Sequence, residues 1–415
     1  MMVTDRTDFG AYASIYRDHL LNNVVPFWLK NSPDKEFGGY LTCLDREGKV
    51  YDTDKFIWLQ CRQVWTFSML YNQVEKKGEW LDFAVQGAEF LMRHGRDKQG
   101  HWFFSLTRDG RPLVQPYNIF SDCFAAMAFA RLHKATAEPK YEKIARDSFL
   151  NILERQHNPK GIYAKGFPGT RPLQGFALPM ILSNLVLEME HILEPDLAER
   201  VIERGIHAVM EVFYRSEQGV ILENVHADGS FSDSLEGRLV NPGHGLESMW
   251  FMMDLAVRSR NPELLKKAVS ISLDLMEYGW DQKHGGIFYF LDVKGCPPQQ
   301  LEWDQKLWWV HLEAIITMLK VYLLTGDKRC LEWFKKLHEY SFDHFSDKEG
   351  GEWFGYLNRR GEILLDLKGG KWKGCFHVPR AFYQAWKTLD AINDKSIADK
   401  LPITNAGHTN SKIAG

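Results

Sequence analysis

A glycine-led segment that recurs six times is the feature that most constrains the fold of this chain. In each copy a glycine is followed by alternating aromatic or β-branched residues and then by a polar turn. The copies start roughly 58 to 66 residues apart, a longer period than the about 20–50 residues typical of solenoids. Each copy predicts a short strand that runs into a turn, as in a β-hairpin, and the third copy is the weakest. The copies begin at Gly38, Gly100, Gly161, Gly219, Gly285 and Gly351.

Helical patterns flank every predicted hairpin. The helices before the hairpins carry charged residues on one face, which is typical of amphipathic helices on the outside of a domain. We place them at about 7–30, 79–96, 138–157, 195–214, 261–280 and 327–344. The helices after the hairpins are apolar nearly all round, which is typical of buried helices. We place these at about 55–73, 116–134, 172–191, 241–259, 302–325 and 374–391.

Six units of outer helix, hairpin and inner helix predict an all-α (α/α)6 barrel. An open stack would leave the apolar inner helices exposed on one side, whereas a closed ring buries all six. We therefore expect a single barrel domain over residues 1–395 and a flexible C-terminal tail over 396–415. The hairpins must lie together at one end of the ring, because each connects an outer helix to the start of an inner one.

Bulk properties exclude several classes of function. The net charge of the 415-residue chain is −3 with no long basic run, so we expect no nucleic-acid partner. No window reaches about 18 uninterrupted apolar residues, which argues against a membrane span. The first residues lack the apolar core of a secretory signal, and the six cysteines form no CxxC pair. We expect a cytoplasmic protein with reduced thiols.

In such a ring, the first turns of the inner helices line one funnel. The side chains placed there include acids, bases, cations and flat aromatic rings, which suit a small polar ligand. The funnel residues that we single out are Trp58, Arg62, Tyr117, Asn118, Asp122, His244, Glu247, Trp309, Glu313, Trp372, His377 and Arg380.

Two histidines at equivalent positions of the repeat suggest a pair of proton-transferring groups. His244 and His377 each begin an apolar inner helix, and Glu247 follows His244 by one turn. The alternative is that each imidazole is a core residue whose ring is satisfied by a carbonyl group. Arg62 has an alternative as well, a structural ion pair with Asp122 or Glu313.

Neighbouring residues in the fifth inner helix compete for the funnel. Trp308 and Trp309 differ by about 100° around a helix, so we expect one of them to lie in the core. His311 and Glu313 also point apart, and we favour Glu313 because it shares a face with Trp309.

Motifs for other chemistries are absent from the sequence. There is no HExxH and no cluster of His or Cys with ligand spacing, so we expect no metal. There is no GxSxG nucleophile elbow. The loop at 165–171 is rich in glycine and cations and leads toward a predicted helix, which suits a phosphate group. It lacks the order GxxxxGK[ST], and a hairpin turn would need its glycines anyway.

Five motifs together resemble the N-acylglucosamine 2-epimerases, also called renin-binding proteins, which are related to cellobiose 2-epimerases. The motifs are FGGY at 37–40, KFIWLQCRQVW at 55–65, NPGHGLE at 241–247, WWVHLE at 308–313 and FHVPR at 376–380. The resemblance spans most of the chain and is greatest to the bacterial, cyanobacterial type. It implies the (α/α)6 barrel, a homodimer, and interconversion of N-acetyl-D-glucosamine and N-acetyl-D-mannosamine.

The resemblance also implies functional positions and an effector. Family functional positions fall on Arg62, His244, Glu313 and His377. ATP is implied as an activator that is not consumed, so no cofactor takes part in the chemistry. The candidate effector residues are Lys165, Gly166, Gly169, Thr170 and Arg171. Mammalian members bind renin through a leucine-zipper-like stretch, but this chain has no sustained heptad, so we do not expect that partner.

These residues lead to a two-base hypothesis for the chemistry. His244 and His377 would face opposite sides of the open sugar, one removing the proton at C2 and the other supplying it. Glu247 would orient His244, and Glu313 would orient His377 or bind substrate hydroxyls. Arg62 would stabilise the enediolate oxygen.

Three other functions remain compatible with the sequence. The same histidine pair could run an aldose–ketose isomerisation. A carboxylate pair drawn from Asp122, Glu247 and Glu313 could hydrolyse glycosides. A non-catalytic module that binds a sugar or a protein is the third.

Overall fold

Twelve long helices that alternate between outer and inner positions make up most of the computed structural model, which describes residues 7–167 and 169–394. The outer helices are α1 (Phe9–His19, a π-helical turn Leu20–Val24, and Val25–Asn31), α3 (Gly78–His94), α5 (Pro139–Arg155), α7 (Pro195–His207 with the π turn Ala208–Phe213), α9 (Pro262–Gly279) and α11 (Lys328–His344). The inner helices are α2 (Ile57–Gln73), α4 (Phe120–Thr136), α6 (Ala177–Met189), α8 (Pro242–Ser259), α10 (Trp308–Thr325) and α12 (His377–Asn393). The predicted (α/α)6 barrel is confirmed. The predicted tail at 396–415 lies outside the described residues.

Burial separates the two sets of helices as their sequence patterns predict. Every residue of α10 from Trp308 to Leu319 is buried. In α11 the buried side chains, among them Cys330, Phe334 and Leu337, recur at helical spacing on one face. The inner helices are therefore enclosed by neighbours, while each outer helix keeps one face in solvent. None of the described helices is long and apolar enough to cross a membrane.

Connections at the two ends of the barrel differ in length. At one end only two residues join α4 to α5, α8 to α9 and α10 to α11. The first residue of each of these turns has a left-handed backbone, namely Ala137, Arg260 and Gly326. The connections from outer to inner helices are much longer, and they form the opposite end, which we call the mouth.

The ring closes by contact between the first and last units. The ring of Tyr16 in α1 packs edge-on against Phe382 in α12, with 5.4 Å between centroids. The hydroxyl of Thr66 in α2 donates to the carbonyl of Cys375, just before α12, at 2.7 Å. Residues more than 300 positions apart are thereby joined.

Short antiparallel strands link the units around the mouth. The strand before an inner helix pairs with a strand of the following unit, as Lys55–Phe56 does with Ser105–Leu106. The same connection recurs as Leu173–Gly175 with Asn224–His226, Leu239–Val240 with Leu291–Asp292, and Lys306–Leu307 with Tyr356–Leu357. Hairpins form in the first, second and sixth units, as Cys43–Leu44 with Val50–Asp52, Ser105–Leu106 with Pro112–Val114, and Tyr356–Leu357 with Ile363–Leu365. In the fourth unit Val220–Ile221 pairs with the preceding strand, Tyr214–Arg215.

The third predicted hairpin is wrong. Gly161–Tyr163 is a single 3-10 turn, and the chain after it is largely exposed until the strand Leu173–Gly175. This copy has no run of alternating apolar residues to bury, and it contains Gly166, Pro168 and Gly169, which are poor strand formers.

Three buried aspartates join successive units at the mouth. Each accepts from a lysine in the connection that precedes its own unit's inner helix and from an arginine in the hairpin of the next unit. The sets are Asp34 with Lys55 (2.9 Å) and Arg108 (3.0 Å), Asp281 with Lys306 (3.2 Å) and Arg359 (2.9 Å), and Asp347 with Lys368 (2.8 Å) and Arg46 (2.8 Å). The third set connects the sixth unit to the first and so closes the ring.

We expect Asp34→Asn to lower the free energy of unfolding by about 3–5 kcal/mol, because it leaves the buried ammonium of Lys55 without its counter-charge. Asp147→Asn is the matched control, since Asp147 and Lys143 form an exposed pair at 2.7 Å, and it should cost less than about 1 kcal/mol. Urea denaturation followed by circular dichroism measures both. Equal losses in the two variants would contradict the role given to the buried aspartate.

Candidate active site

A cavity of about 500 Å³ opens at the mouth of the barrel and is lined by side chains from all six inner helices. Its volume lies in the range of small-molecule sites. The helices contribute Trp58 and Arg62 (α2), Phe120 and Phe124 (α4), Ala177, Met180 and Ile181 (α6), His244 and Glu247 (α8), Trp308 and Trp309 (α10) and His377 (α12). The connections contribute Asn118, Tyr289, Glu302, Gln305, Leu307, Tyr356 and Trp372.

The rings of His244 and His377 both pack against Trp309. Their centroids lie 5.2 Å and 5.7 Å from the indole centroid, so the two imidazoles are no further apart than the sum of these distances. Gly243 lets the indole of Trp309 lie close to the start of α8, because a Cβ at position 243 would lie 2.8 Å from Trp309. The predicted convergence of two histidines separated by 133 positions is present.

Glu223 holds His244. Nδ1 of His244 lies 3.0 Å and 3.1 Å from the two carboxylate oxygens of Glu223, and the side chain of Asn241 accepts from the His244 backbone N–H at 3.1 Å. Burial by itself lowers the pKa of His244, but the carboxylate of Glu223 outweighs burial and the pKa is raised. His244 therefore holds a proton more readily than an ordinary histidine.

His377 has the opposite electrostatic setting. Its Nδ1 lies 2.8 Å from Glu313, as predicted. Burial lowers the pKa of His377 well below its usual value, and the cations of Arg62 and Arg380 lower it further. The charge of Glu313 does not offset this, because Arg380 binds the same carboxylate at 2.6 Å. His377 is therefore a neutral imidazole at ordinary pH.

Arg380 connects the two buried carboxylates of the site. Its guanidinium donates to Glu247 and to Glu313, and the indole N–H of Trp250 donates to Glu313 at 2.9 Å. Glu247 thus binds Arg380, and Glu223 takes the place at His244 that the sequence assigned to Glu247. Arg380 was predicted to bind substrate, but it is buried and acts by holding these carboxylates.

Glu247, Glu313 and His377 are grouped closely enough to offer three ligand atoms to a metal ion. The guanidinium of Arg380 already supplies a cation to both carboxylates. The group is therefore electrostatically satisfied by the chain itself.

Arg62 is a buried cation surrounded by aromatic rings. Its guanidinium carbon lies 4.4 Å from the ring centre of Trp58 and 4.0 Å from that of Phe124. Burial and then repulsion by Arg380 lower the pKa of Arg62 to about 9. Within the described part of the chain, Arg62 forms no salt bridge, and its Nε has no acceptor. The alternative ion pairs with Asp122 and Glu313 are not formed.

Two residues predicted to bind substrate lie away from the cavity wall. Asp122 is fully buried and accepts from Arg155 at 3.1 Å, and burial raises the pKa of Asp122 to about 7 in spite of that partner. The ring of Tyr117 packs on Phe104 at 5.2 Å. Asp122 belongs to the buried part of α4, and Tyr117 belongs to the connection before that helix.

Residues of the fifth unit test two sequence-based expectations. Trp308 and Trp309 both line the cavity, so the expectation that they cannot both face it was wrong, although Trp308 is also buried in the core. Trp308 reaches the site because α10 begins at this residue, beside His377 and Tyr356. His311 is a core residue, as expected, since its Nε2 accepts from the backbone of Ile287 at 2.9 Å.

The candidate effector residues lie in a largely exposed loop. Arg171 pairs with Glu236 at 3.3 Å, with both side chains about half exposed. The loop leads into the strand Leu173–Gly175, and α6 begins only at Ala177. The loop is therefore not followed directly by a helix N-terminus. The prediction that such an N-terminus helps this loop to bind a phosphate group is wrong.

Residues from the connections were missed because the sequence argument considered only the first turns of the inner helices. Glu223 is the most important of them. Its backbone N–H donates to Leu239 and its carbonyl accepts from Phe176, so it is fixed between the starts of α6 and α8. The sequence does offer one signal for Glu223, because it is an acidic residue inside the fourth repeat copy, next to the mouth.

A family model and curated relatives match most of this chain. The model described as N-acylglucosamine 2-epimerase (GlcNAc 2-epimerase) matches residues 39–381. The N-acylglucosamine 2-epimerases of Mus musculus and Homo sapiens are each 42% identical over 381 residues, covering 90% of this chain and 90% and 89% of those relatives. A solved cellobiose 2-epimerase from Bacillus thermoamylovorans B4167 has a TM-score of 0.80 at 19% identity and covers 91% of this chain and 99% of its own, which shows the shared fold.

We expect the two site histidines to titrate on opposite sides of the ordinary pKa of about 6.5, with His244 above and His377 below. NMR titration of the imidazole signals, assigned with His244→Asn and His377→Asn, measures both. Glu223→Gln should lower the pKa of His244 because it removes the adjacent negative charge. Glu302→Gln, at another acid on the cavity wall, should leave it nearly unchanged. The reverse order of the two pKa values would contradict this description of the site.

Proposed function

The chain belongs to the N-acylglucosamine 2-epimerase family, and we propose that it interconverts N-acetyl-D-glucosamine and N-acetyl-D-mannosamine by proton transfer at C2 of the open-chain sugar. The protein is accordingly an isomerase. One observation carries the proposed mechanism: two imidazoles with opposite electrostatic settings flank the same indole on the wall of one cavity.

Inversion at C2 requires removal of a proton from one face and delivery of a proton to the other. The proton is acidic only while C1 is an aldehyde, because the electron pair of the broken C–H bond then moves to the oxygen on C1. Neutral His377 takes the proton, and protonated His244 supplies one to the opposite face as the electron pair returns. Nothing is oxidised overall, so the step needs no redox cofactor.

The carboxylates determine which nitrogen of each ring reacts. Nδ1 of His244 faces Glu223 and Nδ1 of His377 faces Glu313. An Nδ1–H that donates to a carboxylate leaves Nε2 for the substrate. After one turnover His377 is protonated and His244 is neutral, which is the arrangement that the reverse reaction uses.

Buried donors on the cavity wall suit the oxygen that becomes negative. Arg62 remains protonated at neutral pH with a pKa of about 9, and its Nε is unpaired among the described residues. The indole N–H groups of Trp58 and Trp308 are likewise buried without an acceptor in the described chain. Preorganised donors of this kind stabilise the enolate oxygen on C1 more than the neutral aldehyde.

Three further properties follow from the family resemblance and stay predictions. They are activation by ATP at the exposed loop that contains Lys165, Gly166, Gly169, Thr170 and Arg171, assembly as a homodimer, and a cytoplasmic location. The exposure of this loop is compatible with an effector that approaches from solvent.

Turnover in heavy water tests the two-base scheme. We expect the wild-type product to carry deuterium at C2. His244→Asn and His377→Asn should each lose about 10²–10⁴-fold in epimerisation, because one proton transfer has lost its partner. Each variant should still exchange the C2 proton of one epimer, and the two variants should exchange different epimers. NMR of C2 measures exchange and inversion together.

His101→Asn provides the control, since His101 is partly exposed and lies outside the cavity lining, and its activity should be normal. Near-normal epimerisation by either site variant would remove that histidine from the chemistry. Full retention of protium at C2 in the wild-type product would exclude the scheme as a whole.

A further inference from the structure

The cavity wall divides into two halves of different chemistry. The order of the inner helices places His244, Trp309 and His377 on three consecutive helices, α8, α10 and α12. The remaining half comes from α2, α4 and α6. The side chains from α4 and α6 are all apolar, namely Phe120, Phe124, Ala177, Met180 and Ile181, and α2 contributes Trp58 and the cation of Arg62.

We call Phe124, Ala177, Met180 and Ile181 the apolar crescent. Met180 and Ile181 are only 2% and 7% exposed, and they lie near the start of α6. No charged or polar side chain from α6 lines the cavity, so the part of this surface that α6 forms offers a sugar hydroxyl no side-chain hydrogen bond. A ligand group that covers it must itself be apolar.

The direction of proton transfer decides where the substituents of C2 can go. In the two-base scheme the reacting carbon lies between the two imidazoles, and the indole of Trp309 packs against both of these rings. The three substituents of C2 that lie in the plane of the enolate therefore point to the mouth or to the opposite half of the wall. The oxygen on C1 is attracted to Arg62, and the polar chain from C3 onward suits the open mouth. The substituent on nitrogen then faces the crescent.

We propose that the apolar crescent on α4 and α6 binds the N-acyl group of the substrate and sets the size of acyl chain that the enzyme accepts. This assignment rests on the proposed function and adds the residues that select the acyl group. The methyl end of the acyl group buries its apolar surface against Met180 and Ile181. A hexose with a hydroxyl at C2 leaves that surface uncovered and brings a polar group to it instead.

The test compares N-acetyl- and N-butanoyl-D-mannosamine on each enzyme preparation, with kcat/KM measured for both. Ile181→Ala and Met180→Ala enlarge the crescent, so the ratio of butanoyl to acetyl kcat/KM should rise about ten-fold or more, as expected for methylenes in an apolar pocket. Ala177→Leu fills it, so the ratio should fall. Because each ratio comes from one preparation, partial loss of folded protein cancels.

Leu307→Ala is the matched control, since Leu307 is a buried apolar residue on the cavity wall outside α4 and α6. Leu307→Ala should change kcat/KM for both substrates by the same factor. Ile181→Val is a smaller change that should also raise the ratio of butanoyl to acetyl kcat/KM. It replaces the alanine variants if they do not fold. Ratios that stay within two-fold of wild type in the α6 variants, or a shift as large in Leu307→Ala, would overturn the proposal. If wild-type enzyme fails to epimerise N-acetylmannosamine at all, the proposed function fails instead.

Discussion

The apolar surface of the inner helices is the constraint on which the rest of this structure depends. A helix such as α10, which is buried along its first two-thirds, needs neighbours on every side. Only a closed ring provides them. Closure also fixes where the chemistry lies. The short turns occupy one end of the barrel, so the long connections and the starts of all inner helices meet at the other.

Buried ion pairs then fix the positions of the units relative to one another at the mouth, which apolar packing alone would not do. The buried aspartates tie each hairpin to the preceding unit, and the last of them, Asp347, joins the two ends of the chain. Inside the ring, one guanidinium neutralises two carboxylates, while Glu223 keeps its full effect on His244. The two histidines thereby acquire pKa values that are shifted in opposite directions within the same cavity.

Much of the fold was accessible from the sequence because its signals are local and repeated. Helix positions follow from periodicity, and the position of His244 and His377 in equivalent repeats placed both at the mouth. Two failures came from tertiary contacts that no spacing reveals, and one came from a local feature of the sequence. Glu223 reaches His244 from a connection, Asp122 turns to Arg155 instead of the cavity, and the third hairpin lacks the apolar alternation that a strand needs.

A crystal structure with an open-chain substrate mimic, N-acetyl-D-mannosaminitol, tests the central claim most directly. The measurement is the position of C2 relative to Nε2 of His244 and Nε2 of His377. The two-base account predicts that both nitrogens lie about 3–3.5 Å from C2 on opposite faces of the carbon. Both nitrogens on one face, or C2 in contact with only one of the two imidazoles, would contradict it.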